Sequence, residues 1–281
     1  MSAPLLLGPA SLDRWLDEGR VLPGGGALNM AYHWSRLGQR FMLLTRIGDD
    51  HPELFLHFMR RHGIVHTPTI VGHGHGPSSS IDIVIQADRQ PWMDNFVEGV
   101  WQGYSLDAGE RAVVAASSQL HVVLVHSAVA ALHEMHTGGL LHGVSVSGDF
   151  LSLRRYTIEQ FERTMALLDV GIIGWPGEAD DPMVAAVREV VFRLGRVMVV
   201  TLGSKGVMVF DGRGPSPVEH FVAVDAVEVV GTTVGCGDAF VAAFLAAWWS
   251  DGALLPAIEA GKAAGAAATA WLRPLPDEAY E

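Results

Sequence analysis

Four residues near the C-terminal end of the chain carry the makings of a reaction: Gly235, Cys236, Gly237 and Asp238, set in the stretch GTTVGCGDAFVAAFLAAWW from Gly231 to Trp249. Glycines without a Cβ let the backbone take unusual dihedrals and approach a ligand closely. The apolar run that follows reads as a helix. The unpaired amides at its start and its macrodipole both favour an anion, with phosphate the natural guest. Asp238 is open to two readings at this level, an ordinary helix cap or a residue with a part in the chemistry of that site. A second glycine-rich segment, Pro23-Gly24-Gly25-Gly26, precedes another helix that carries Asn29 in its first turn, and Asp13 lies just ahead of it. Asp13 is expected in the turn after a first strand, where open α/β sheets bind ligands.

These residues need a scaffold, and the chain has the material for one. Its 281 residues are 49% hydrophobic and 18% charged, which suffices for a substantial core. A formal net charge of -12 argues against a nucleic-acid or acidic-membrane surface. Cys236 is the only cysteine, which excludes an intrachain disulfide and a cysteine-rich zinc site and suits a reducing cytoplasm. No apolar run approaches membrane-spanning length, and the N-terminal LLLGPA lacks a basic flank.

Periodicity and punctuation give the elements. PLLLGP (4 to 9) and FMLLTRIG (41 to 48) read as strands, and the spacing of Ala27, Met30, Ala31, Trp34 and Leu37 predicts a helix closed by Gly38. A helix begins near Pro52 and stops at Gly63. The texture then turns strand-rich to about Gln102, where SIDIVIQ alternates as a half-exposed strand does. Arg89, Glu98, Trp92, Phe96 and Trp101 in this stretch are expected to close over a ligand. His73 and His75 read as solvated loop residues, not metal ligands. From Ser105, the expected N-cap of a helix, helix and strand alternate through a strand ending near Asp149, a capping box of Thr157 and Gln160, a strand DVGIIG, a helix opened by Asp181-Pro182 and closed by Gly195, and two strands around TLGSKG. An alanine-rich helix over Leu254 to Leu272 ends the series. Successive βα units imply a mainly parallel sheet with helices on both faces.

PGGGALNMAYHWSRLG, TLGSKG and GTTVGCGDAFVAAF together resemble, in order and spacing, the signature regions of the ribokinase-like, PfkB-type carbohydrate kinases. The middle of the chain resembles a short subgroup that includes fructoselysine 6-kinase. The resemblance implies an α/β fold with a doubly wound, mainly parallel sheet, in one domain over 1–281, with a small β lid inserted at approximately 10–23 and 65–104. It implies transfer of the ATP γ-phosphoryl group to a sugar hydroxyl with Mg²⁺. Asp238 would be the base, and the amides of Gly235, Cys236 and Gly237 the anion hole. Asp13, Gly25, Gly26 and Asn29 would hold the sugar, with Glu98 as a lid contact, and Thr201, Gly203, Lys205 and Gly206 the nucleotide. Pairing through the lid edges would give a homodimer.

The chain departs from that pattern at three places. Trp175-Pro176-Gly177-Glu178 keeps the glutamate of an Asn-x-x-Glu motif that organises magnesium, but loses its asparagine, leaving Glu178 as an indirect metal contact. Thr232 replaces the aspartate that opens the later signature, with Val234 at its second threonine, so weak or no potassium activation is expected. Cys236 stands where alanine is usual, at a helix N-terminus expected to lower a thiol's pKa. Two other readings stay open: a nucleoside kinase, because the same fold accepts ribosides, and a degenerate sugar- or nucleotide-binding regulatory protein.

Overall fold

The computed structural model describes all residues except 1–2, 72–75, 152–155 and 226, so His73 and His75 lie outside the described residues. The chain divides into two compact units, one made of Ala3–Ser105 with Glu228–Glu281 and the other containing Leu106–Val227.

The first unit opens with β1 (Leu5–Leu7), β2 (Ser11–Trp15) and β3 (Arg20–Gly24), followed by α1 (Gly26–Arg36), β4 (Met42–Leu44) and α2 (Pro52–Arg61). Continuous apolar residues make β1 a fully buried strand, and it pairs parallel with β4. β5 (Ser79–Ile85) and β6 (Pro91–Val97) complete a separate four-stranded sheet in the order β3-β2-β5-β6, with β2 and β5 parallel. The strand-rich texture read from 65 to 102 thus corresponds to real strands. The segment 10–23, expected in a β lid, supplies β2 and most of β3, and Asp13, expected just past the end of the first strand, lies within β2, whose Trp15 fills a small core with Leu22, Ile83 and Val234.

The second unit carries the alternating segment: α3 (Ala108–Ala115), β7 (Gln119–Val123), α4 (His126–Thr137), β8 (Ser145–Asp149), α5 (Ile158–Met165), β9 (Val170–Gly174), α6 (Pro182–Leu194), β10 (Val197–Thr201), β11 (Val207–Asp211) and β12 (Val218–Val222). Strands β7 to β10 are parallel neighbours, as βα crossovers require, and β11 and β12 add antiparallel strands through short turns. The Thr157–Gln160 capping box is present, and α6 is capped by Asp181 and ends at Gly195 in the left-handed conformation, as the sequence predicts. At α3 the cap is Asp107, not Ser105. Asp107 has Glu110 three residues on, and the two exchange side-chain to backbone bonds that Ser105 cannot make.

The chain then returns to the first unit with α7 (Cys236–Asp251) and α8 (Leu254–Ala268). Alanines and Gly261 let these two helices approach closely, and a Cβ on Gly261 would press the Phe240 ring at 2.9 Å. α1 packs on α7, where Trp34 donates its indole N–H to the Ala242 carbonyl at 2.9 Å. The loop ahead of α7 lies along residues 269–272. Gly231 and Thr232 donate their amides to the Thr269 and Trp271 carbonyls, each at 2.8 Å.

A Cβ at Gly231 would lie 1.9 Å from the Trp271 carbonyl oxygen, an overlap of backbone that no side-chain motion relieves. Gly231→Ala is therefore expected to lower the melting temperature sharply, whereas Gly237→Ala, whose Cβ would meet nothing within 4 Å, leaves it nearly unchanged. Thermal unfolding of both variants followed by circular dichroism checks the difference.

Candidate active site

Asp238 is the third residue of α7 and half-buried. It is held by Asn29 of α1, whose Nδ2 donates to its Oδ2 at 2.8 Å. Asn29 is 3% exposed, and its Oδ1 is buried without a hydrogen-bond partner among the described residues. An orphaned buried acceptor costs free energy, so this one is a place where a ligand hydroxyl would be favoured. The pair is brought together by the packing of α1 on α7, and each residue sits in the first turn of its helix.

α7 starts at Gly235, which is left-handed with φ 77° and serves as its N-cap. A Cβ there would meet Pro274 Cα at 2.5 Å, so the residue must be glycine on both counts. The first i to i−4 bond of the helix runs from the Ala239 amide to the Gly235 carbonyl at 2.9 Å. The Gly237 amide precedes it, in the turn whose donors the i to i−4 pattern does not use. Space next to Gly237 is open, so backbone donors, helix dipole and room for an anion coincide with a carboxylate. The Cys236 amide contributes less than expected, because it turns onto the Thr233 carbonyl at 3.4 Å.

The Cys236 thiol also differs from expectation. Burial, with the Asp238 charge nearby, pushes it up to about 11, so desolvation and a like-sign neighbour outweigh the helix terminus and the thiol stays protonated. Thr232 has a structural job at the position where an acid was expected by resemblance. Its hydroxyl accepts from the Val234 amide at 3.2 Å and donates to the Leu272 carbonyl at 3.5 Å.

Asp13 sits within β2 and is 4% exposed. Ser11, two residues away and therefore on the same face of the strand, donates its hydroxyl to Asp13 Oδ1 at 2.9 Å. Burial pushes the carboxyl up to about 7 against the partial relief from Ser11. Gly24 and Gly25 form the wall beside this pair. A Cβ on Gly24 would fall 2.1 Å from Asp13 Oδ2, and one on Gly25, at φ 90°, would press Ser11 Oγ at 2.9 Å. Gly25 caps α1 and Gly26 begins it, so the same glycine turn lies against Asp13 and launches the helix bearing Asn29. The Ser-x-Asp spacing was visible in the sequence and was missed, as was Tyr280, whose buried hydroxyl lies within electrostatic reach of Asp13 and which no motif marks.

The aromatic residues expected over a ligand separate. Trp92 is 42% exposed on β6, but Trp101 is fully buried, stacks on Tyr104 with centroids 4.3 Å apart and donates its indole N–H to the Arg46 carbonyl. Trp101 is a core residue, since the turn that Glu98 opens points it inward. Glu98 is half-buried, and its backbone carbonyl accepts from Ser79 Oγ at 2.7 Å. Arg89, with φ 66°, belongs to the β5–β6 turn.

In the second unit, Thr201 ends β10 and Gly203 to Lys205 form a single 3-10 turn closed by Gly206. The Thr201 hydroxyl donates to the Ile173 carbonyl at 3.2 Å. Gly203 is left-handed at φ 61° with open space beside it, whereas Gly206 packs its backbone under the Phe221 ring. Lys205 and Glu178 form an exposed ion pair, with the Gly177 carbonyl at 3.4 Å from Lys205 Nζ. Among the described residues no group of three or more His, Cys, Asp or Glu side chains could cage a metal. A cavity of about 340 Å³ is lined by Leu22, Pro23, Phe58 and Tyr280 and by none of Asp13, Asn29 or Asp238, so its size does not locate the chemistry.

Residues 171–270 match the family model described as pfkB family carbohydrate kinase. The chain is 25% identical over 270 residues to fructoselysine 6-kinase of Escherichia coli (strain K12), covering 92% of this chain and 94% of that protein. Among solved structures it is similar to adenosine kinase from Sinorhizobium meliloti (TM-score 0.78, 21% identity, 99% of this chain and 97% of that one) and to Arabidopsis thaliana ribokinase (TM-score 0.75, 20% identity, 100% and 98%). The α/β, ribokinase-like fold expected from the sequence is thereby shown.

Asp13 has a sign-definite consequence for stability. Its folded-state pKa of about 7 lies above the ordinary 3.8, so the folded chain holds the proton more tightly than the unfolded one. Stability is fully retained below pH 4 and is lost as pH rises from there through 7, a cost on the order of a few kcal/mol. Asp13→Asn is expected to raise the melting temperature by several degrees at pH 8 and to change it little at pH 4, as measured by calorimetry at both values.

Proposed function

The chain carries a PfkB family carbohydrate kinase domain, and from that premise we propose that it transfers the γ-phosphoryl group of ATP to a hydroxyl of a sugar or sugar derivative, with Asp238 as general base. The observation that carries this reading is the Asn29–Asp238 hydrogen bond at the amide-bearing start of α7, a carboxylate fixed next to an anion site. Asp238 takes the proton of the attacking hydroxyl as its oxygen bonds to phosphorus and the bond to the departing ADP breaks. The Gly237 and neighbouring amides with the α7 dipole stabilise charge on the transferring group. Phosphoryl transfer asks chiefly for positioning and charge stabilisation, which these groups supply without a covalent intermediate.

The acceptor is held by Asp13 with Ser11 and by Asn29, whose free oxygen accepts a hydrogen bond from a hydroxyl while its amide nitrogen stays on Asp238. Paired carboxylate and carboxamide groups suit vicinal hydroxyls. Gly25 and Gly26 give the backbone access to the ligand, and Glu98 is a candidate lid contact. The turn from Thr201 to Gly206 takes the nucleotide, with Lys205 leaving Glu178 for a phosphate. Mg²⁺, when bound, would offset the phosphate charge, and Glu178, which pairs with Lys205 beside that turn, would be its indirect carboxylate contact. The similarity to fructoselysine 6-kinase supports a fructosamine such as fructoselysine as the first acceptor to try. Thr232 satisfies its own hydroxyl, which supports independence from potassium. A cytoplasmic location and a homodimer through the β2–β3–β5–β6 sheet belong to the same proposal.

A coupled ADP-release assay across hexoses, pentoses, fructosamines and nucleosides is expected to show acceptor-dependent turnover highest with a sugar or fructosamine, and a nucleoside preference would replace this reading. Asp238→Asn is expected to lower kcat by roughly 10²–10⁴-fold. Exchanging sodium for potassium is expected to change the rate by less than about twofold, because no cation is needed where a threonine hydroxyl closes the loop.

A further inference from the structure

The segment after α8 touches both halves of the acceptor site in the first unit. Arg273 is 5% exposed, and its two terminal nitrogens donate to the carboxylates of Glu18 and Asp277. Its guanidinium lies 5.7 Å from the centroid of the Trp15 ring. Glu18 is in the turn joining β2 to β3, and Trp15 ends β2, two residues beyond Asp13. Trp15 packs with Val234 of the loop ahead of α7 and with Tyr280. The residue after Arg273 is Pro274, whose Cα stands against Gly235 at the start of α7. One short stretch of chain therefore holds the hairpin that bears Asp13 and the loop that presents Asp238.

We propose that Arg273 is a positioning residue for the acceptor, fixing the β2–β3 hairpin against the loop of residues 231–235 so that Asp13 and Asp238 keep one spacing. The proposal rests on the kinase reading for its kinetic consequence, but the clamp itself does not. Arg273 suits the task because its planar fork engages two carboxylates at once while its face covers an indole. A surface ion pair would do little, but here the arginine side chain is buried and its contacts are less screened, so removing Glu18 leaves the guanidinium paired with Asp277 alone and frees the hairpin from it. Asp13 then moves with the hairpin. Asp238 stays in place, held by Asn29 of α1, so displacement of the hairpin weakens the hold on the acceptor rather than the proton transfer. ATP is untouched by this, since the residues assigned to it lie elsewhere in the chain.

Glu18 is part exposed, so Glu18→Ala is expected to fold, and it serves beside Arg273→Gln and Arg273→Lys. Glu18→Ala and Arg273→Gln are expected to raise the acceptor KM about tenfold with kcat and the ATP KM within about twofold of wild type, and Arg273→Lys to recover most of the loss. Hydrogen exchange of Glu18→Ala is expected to show amides of residues 11–24 and 231–235 losing protection together. An unchanged acceptor KM in folded Glu18→Ala, equal effects on both substrates, or loss of protection confined to the hairpin overturns the clamp. A wild-type chain that phosphorylates no acceptor overturns the kinase reading instead, and the exchange measurement then decides the clamp by itself. If Arg273→Gln does not fold, Glu18→Ala decides alone.

Discussion

The hydrogen bond from Asn29 to Asp238 joins side chains 209 residues apart in sequence, and most of the first unit is arranged to make it possible. Both residues lie one turn into helices that start at left-handed or otherwise unusual glycines, Gly25 and Gly235. The helices must pack closely and in fixed register for the two first turns to meet. Trp34 bonding to the Ala242 backbone and the small residues of α7 and α8 supply that register. Once the helices are so placed, Asp238 stands in the first turn of α7 next to Gly237, which has open space beside it, at a helix start whose dipole favours an anion.

Close approach of backbone has a cost on the other side of the site. Asp13 is pressed against Gly24 in a place where burial raises its pKa to about 7, so the fold carries a carboxylate that would be more stable neutral. A protein selected for stability alone would not keep it there. Ser11 and Tyr280 surround Asp13 without offering it a cation, which leaves its hydrogen-bonding capacity available to a polyhydroxyl ligand. Arg273, the cation that is near, is committed to Glu18 and Asp277 and acts on the hairpin instead.

What could be read from the sequence follows from how local the determinants are. The GxGD start of α7, the glycine run before α1, the Thr157 capping box and the Asp181-Pro182 and Gly195 bounds of α6 depend on a few adjacent residues, and they are where the sequence places them. The ribokinase-like fold was legible because its signatures recur in order along the chain. Other features depend on neighbours remote in sequence. Residues 11–15 form a strand only because β3 and β5 flank them, and Trp101 is buried because Tyr104 and Arg46 receive it. Cys236 has a raised pKa because burial and Asp238 overcome the helix terminus, a balance that sequence spacing does not express. Thr232 likewise reads as a departure from a motif until its two hydrogen bonds show the work its hydroxyl performs.

The central claim is that Asp238 activates an acceptor hydroxyl for attack on a phosphoryl group bound at the start of α7. The most direct measurement is phosphorus NMR of a reaction with ATP, Mg²⁺ and a fructosamine acceptor, run with wild type and Asp238→Asn, together with calorimetry of acceptor binding to both. The account predicts a sugar phosphomonoester signal that grows with ADP in the wild type and is nearly absent in the variant, while the variant still binds the acceptor. Equal phosphomonoester formation by the two proteins, or release of inorganic phosphate with the acceptor left unmodified, would contradict it.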